Sequence, residues 1–94
     1  QLNNLRFQVY LGEYLDEVPE DDAMIYISNV EKGVKRKKNN EGYTIYYTCD
    51  CPEYDKALEL KAHFVHEGIT AVRIVPFMNE KEISVGEAFK LIYE

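Results

Sequence analysis

Residues 5–11, LRFQVYL, alternate strictly, with Leu5, Phe7, Val9 and Leu11 on one side and Arg6, Gln8 and Tyr10 on the other. A period of two predicts a half-buried strand. After a loop containing Gly12 and Pro19, Ala23, Met24, Ile27 and Val30 recur at helical spacing and predict a short amphipathic helix with those residues inward. Gly33 followed by Val34 reads as a left-handed exit into another strand. The same plan then returns in stronger form. Residues 43–48 are dense in aromatic and β-branched side chains, which favours a strand. Asp50 and Glu53 have the spacing of a capping box, and Pro52 suits a first helical turn because no amide hydrogen is wasted there. Ala57, Leu58, Lys61, Phe64 and Val65 fall on one stripe of a helix, Gly68 supplies its stop, and residues 69–75 read as a further strand.

Two strand–helix–strand halves joined by a hairpin at residues 39–42 predict an α+β fold in the order β-α-β-β-α-β. This is the split βαβ arrangement, an antiparallel sheet with both helices on one face. Residues 77–82 read as a turn. Ser84 with Glu87 forms another capping box ahead of Val85, Ala88, Phe89 and Ile92, so a short C-terminal helix is expected to close the core.

At 94 residues and 46% hydrophobic, the chain has material for one core. No run approaches the ~20 apolar residues of a membrane span, and QLNNLRF carries no secretory pattern. A net charge of −6 argues against indiscriminate binding to polyphosphate. The charge is uneven, however. Lys32, Lys35, Arg36, Lys37 and Lys38 crowd one segment, and Glu13, Asp16, Glu17, Glu20, Asp21 and Asp22 crowd the one before it. Acids at a helix start and Lys32 at its end also suit the macrodipole, so part of the asymmetry is structural.

The twice-repeated pattern of strand, Gly-x-aromatic, acidic helix and Gly-x-strand resembles the SPOR domain, a peptidoglycan-binding module of bacterial envelopes, in a Bacteroidota-like variant. Gly42, Tyr46, Ala57, Gly68, Ile74, Val75, Phe77, Asn79, Ile83, Ser84, Glu87 and Ala88 fall on its second half, and Phe7, Val9, Gly12 and Tyr14 on its first. The chain departs from the pattern where Tyr10 stands in place of the usual Gln before the first Gly, with Gln8 two positions earlier. It departs again where Cys49-Asp50-Cys51 replaces Gly-x-Phe. The resemblance implies a single noncatalytic domain over residues 1–94, part of a larger envelope protein in the periplasm. Its implied partner is the glycan strand, preferably stripped of stem peptides, with no nucleic acid, no membrane insertion by this segment, no cofactor, and a monomeric state.

The implied glycan site is the sheet face free of helices: Arg6, Gln8 and Tyr10 on strand one, Ile45 and Tyr47 or else Tyr46 on strand three, and Lys35 and Lys37 on strand two. Sugar rings offer C–H faces to aromatics and hydroxyls to polar groups, and basic side chains can meet lactyl carboxylates exposed by peptide removal. The register of strand three stays open. The family frame turns Thr44, Tyr46 and Thr48 to the core, whereas hydrophobicity buries Tyr43, Ile45 and Tyr47, and a one-residue choice flips every side chain.

Plainer readings stand beside these. Tyrosines are common half-buried strand residues, and lysines on a strand discourage edge pairing. Cys49 and Cys51 are too closely spaced for a zinc site, and a bridge across one residue is disfavoured, so free thiols are expected, one of them part-buried. His63 and His66 lack a third ligand and read as helix-surface residues. Neither a nucleophile triad nor a phosphate-cradling loop is present. The rival functions are an RNP-like nucleic-acid module, which shares the element order, and a ferredoxin-like protein-interaction or regulatory domain. Against the first, strand three of this chain lacks the basic-Gly-aromatic signature and the net charge is negative.

Overall fold

The long strand β1 (Leu5–Tyr14) is the middle strand of a five-stranded antiparallel sheet. The structure, a computed structural model, describes residues 4–93. Along the chain, α1 (Glu20–Ser28) and a 3₁₀ turn (Val30–Lys32) precede β2 (Lys35–Lys38) and β3 (Thr44–Cys51). Then come α2 (Tyr54–Glu67), β4 (Arg73–Met78), β5 (Lys81–Glu82) and α3 (Val85–Tyr93), and the strands lie side by side in the order β2-β3-β1-β4-β5.

The alternation of β1 divides the molecule. Leu5, Phe7, Val9 and Leu11 form the main core with Tyr26 of α1, Ala57, Leu60 and Phe64 of α2, and Ala88 of α3. Val9, Leu11 and Phe64 are fully buried, and each such side chain contributes about 1.5–3 kcal/mol of burial free energy. On the opposite side Tyr10, Ile45 and Val75 make a second, smaller cluster with half-buried Tyr47 and Phe77.

Two bulges interrupt the β1–β3 ladder. Phe7 faces Cys51 and Val9 faces Thr48, so Gln8 opposes two residues, Cys49 and Asp50. Farther on, Tyr10 faces Tyr47 and Gly12 faces Tyr46, leaving Leu11 as the extra residue on β1. Leu11 is the last odd-numbered residue turned to the core. Beyond it Gly12 and Tyr14 take over that side while Glu13 passes to the open face opposite Ile45. Gly12 is required by close approach. A Cβ there would collide with the Tyr14 ring and hydroxyl and lie 2.7 Å from the Tyr26 hydroxyl.

Several expectations are corrected. Of the apolar stripe assigned to α1, Ala23 is half-buried, but Met24, Ile27 and Val30 are exposed, Ile27 at 72%. The inward residues are instead Ile25, Tyr26 and Asn29. They win because Tyr26 stacks on Tyr46 at 5.0 Å and 7° and shares a 2.6 Å hydrogen bond with Tyr14, while Asn29 Nδ2 donates to the Ile25 carbonyl and to Glu67. Asn29 Oδ1 accepts from His63 Nε2 at 2.7 Å, so His63 ties α2 to α1. On α2 the buried stripe is Ala57, Leu60 and Phe64, with Leu58 and Val65 exposed.

The Asp50–Glu53 capping box does not form, because β3 runs on through Cys51 and Glu53 becomes the N-cap without a side-chain bond. The Ser84–Glu87 box does form, reciprocally, at 3.0 and 2.8 Å. Gly33 and Gly68 take the left-handed stops expected of them. The segment read as a turn is a hairpin with its own strand, β5, closed by Asn79 and Glu80 at φ 52° and 68°.

Cys49 and Cys51, expected as free thiols, are joined as a disulfide. The bulge explains how a bridge can span one residue. Cys49 takes φ 72° and the two Cα atoms stand 5.3 Å apart, closer than the ~6.6 Å of two residues along a regular strand.

Candidate functional site

The sheet face without helices is built by alternate residues of four strands. β1 contributes Arg6, Gln8, Tyr10 and, past its bulge, Glu13. β4 contributes Phe77, Val75 and Arg73 directly opposite Arg6, Gln8 and Tyr10. β3 contributes Tyr47 and Ile45, and β2 places Lys35 opposite Tyr47 and Lys37 opposite Ile45.

Lys37 reaches across this face to its middle. Its ammonium lies 4.9 Å from the Tyr10 ring centre, 4.7 Å from Tyr47 and 4.9 Å from Phe77, and donates to Gln8 Oε1 at 2.9 Å. Each ring turns its negative π face to the cation, so three rings hold one charge that a surface lysine would otherwise keep in water. Arg73 also lies over Tyr10, its guanidinium carbon 5.0 Å from the ring centre, while pairing with Glu13 at 3.1 Å. Tyr10 is only 5% exposed. Its ring supports cations and is not itself free to stack on a ligand.

Beside this platform a cleft of about 590 Å³ is lined by Arg6, Gln8, Lys37, Phe77 and Asn79, with Asp50 and Glu80 among its walls. Arg6 is held at the rim by Asp50, donating to its carbonyl oxygen, with Nε 3.9 Å from its carboxylate. The cleft therefore combines cationic and amide donors with carboxylate acceptors, a set suited to a polar ligand carrying both hydroxyls and negative charge.

Of the expected site residues, the structure brings Arg6, Gln8, Tyr10, Ile45, Tyr47, Lys35 and Lys37 to one face. Tyr46 is on the other, stacked on Tyr26 and edge-on to Tyr14 at 5.9 Å. Of the two registers considered for β3, the one that turns Tyr46 and Thr48 inward is realised. Thr48 Oγ1 is satisfied there by donating to the Lys32 carbonyl at 2.6 Å. Ile45 is nevertheless buried, because the second cluster covers it from the open side. Arg73 and Phe77 were not anticipated as site members. Their signal was the period-two pairing of Arg73, Val75 and Phe77 on a strand beside β1.

Away from this face, the phenols of Tyr14 and Tyr26 form a chain in which Tyr14 donates to Asp22 at 2.9 Å. Burial, reinforced by the bonds with Tyr26 and Asp22, holds the Tyr14 phenol far above its usual range. Burial also raises that of Tyr26. Among the described residues no group of three or more metal-ligating side chains converges, and no helix is long and apolar enough to cross a membrane. No family model, curated protein or solved structure matches the chain.

Proposed function

We propose that the chain is a SPOR-like, noncatalytic domain that binds peptidoglycan glycan strands and so localises a parent protein in the bacterial envelope. The strand order β2-β3-β1-β4 fits a split βαβ core, to which the β5 hairpin and α3 are additions. The observation that carries the reading is Lys37: a cation fixed by Gln8 over an apolar platform, beside a polar cleft. A sugar bearing a lactyl carboxylate offers the matching surfaces, an anion for Lys37 and C–H groups for the half-exposed Tyr47 and Phe77. Once stem peptides are removed that carboxylate is free, which gives a physical basis for preferring stripped strands.

The nucleic-acid alternative has less support, since base stacking needs open rings and Tyr10 is covered by Arg73 and Lys37. The test is cosedimentation with intact sacculi and with sacculi stripped by an amidase. Preferential pelleting with stripped sacculi, lost in Lys37→Ala and Gln8→Ala, is expected. Retention in the supernatant with both would overturn the reading.

A further inference from the structure

The Cys49–Cys51 bond and the cleft are two sides of one bulge. Opposite Gln8, β3 inserts Cys49 and Asp50. Cys49 packs toward the main core at φ 72°, a conformation that non-glycine residues hold only when the surroundings impose it. Asp50, between the cysteines, reaches the other way. Its carbonyl oxygen accepts from Arg6, its carboxylate flanks Arg6 Nε at 3.9 Å, and both residues line the cleft with Gln8 and Lys37. A bridge that closes so short a loop restrains the unfolded chain least of all, so its effect is local: it holds the bulge. Both cysteines are half-buried, not sealed in, and a small dithiol can reach them.

The geometry points to a reversible dithiol–disulfide switch in which the Cys49–Cys51 bond sets the position of Arg6 at the cleft. For its ligand, though not for the movement of Arg6, this rests on the glycan reading above. A thiolate of a dithiol reductant attacks one sulfur, the S–S bond breaks as a mixed disulfide forms, and the second thiol of the reductant displaces the remaining cysteine. Two electrons pass from the dithiol to the pair and two protons follow, leaving two cysteine thiols and the reductant as a cyclic disulfide. With the bond cut, the constraint on Cys49 is gone. The bulge relaxes, and the Asp50 carbonyl withdraws from Arg6.

The experiment compares the air-oxidised domain, the same domain with dithiothreitol, and a Cys49→Ser/Cys51→Ser variant. Iodoacetamide labelling before and after reduction reads the bond, the NMR signals of Arg6 Nε–H and the Asp50 amide read the bulge, and cosedimentation with amidase-stripped sacculi reads the site. Labelling only after reduction is expected. The Arg6 and Asp50 signals should move while the Val9 and Phe64 amides stay, and affinity for stripped sacculi should fall about 3- to 10-fold as the pre-positioned Arg6 is released. The double variant should match the reduced form and ignore dithiothreitol. Free thiols in the oxidised domain, an unmoved Arg6 signal, or, where the domain does pellet, an affinity unchanged despite that movement would each overturn the switch. So would global unfolding on reduction, which would make the bond a structural staple. If no form pellets yet Arg6 moves with redox state, the glycan reading fails and the switch stands.

Discussion

The two faces of β1 solve opposite problems with residues that alternate along one strand. Toward the helices, Phe7, Val9 and Leu11 are packed by three helices into a core where shape decides the energy. Toward the open side, Tyr10, Ile45 and Val75 are just as inaccessible, yet what lies over Tyr10 is Lys37 and Arg73. One face buries apolar atoms under apolar atoms. The other buries aromatic rings under cations, which keeps the surface wettable. Burial alone thus does not distinguish the two faces, and the identity of the covering group does.

The largest test of this contrast is Phe64→Ala, which removes a fully buried ring from the helix side. A loss of about 3–5 kcal/mol in denaturant unfolding is expected. Next comes Gly12→Ala. The added methyl meets the Tyr14 and Tyr26 hydroxyls, so overpacking should cost about 1–3 kcal/mol and lower Tm, and an unchanged Tm would show that the tyrosine pair yields.

Alkaline stability sharpens the same corner. Unfolded tyrosines ionise near pH 10. Tyr14 and Tyr26 hold their protons more tightly when folded, so above that pH the unfolded state binds fewer protons and stability falls as pH rises. The contribution is complete below about pH 10 and is lost upward through the folded values. Urea midpoints measured across this range should decline in the native sequence and flatten in Tyr14→Phe. An equal slope in both would assign the decline to other groups.

The smallest effect on stability belongs to the open face. Lys37→Met keeps an unbranched side chain over the rings and removes a partly desolvated charge, so unfolding free energy should change by less than about 1 kcal/mol. Binding to stripped sacculi should nonetheless fall at least about tenfold, the scale of one charge-assisted contact. A stability loss as large as that of Phe64→Ala would mean that the lysine is a core residue.

Much of this was legible from local pattern. The alternation of residues 5–11 correctly separated Arg6, Gln8 and Tyr10 from the core set, because a strand's period is fixed by backbone geometry. Gly33, Gly68 and the Ser84–Glu87 box worked as read, since a cap needs only residues within a turn of one another. The inward face of α1 was misread because hydropathy discounts Tyr26 and Asn29. Their value lies in partners on other elements: Tyr14 and Tyr46 for the first, His63 and Glu67 for the second.

What the amino-acid order determined by itself was therefore the three helices and the four longer strands, their succession and the polarity of β1, but not the β5 hairpin. Tertiary structure alone decided the register of β3, the bulges at Gln8 and Leu11, the joining of Cys49 to Cys51 and the convergence of three rings on Lys37. The reason is one of range. Propensity, capping and periodicity act over a few residues, whereas each of these features depends on which residue of one strand stands opposite which of another, and that is set only when the whole sheet packs.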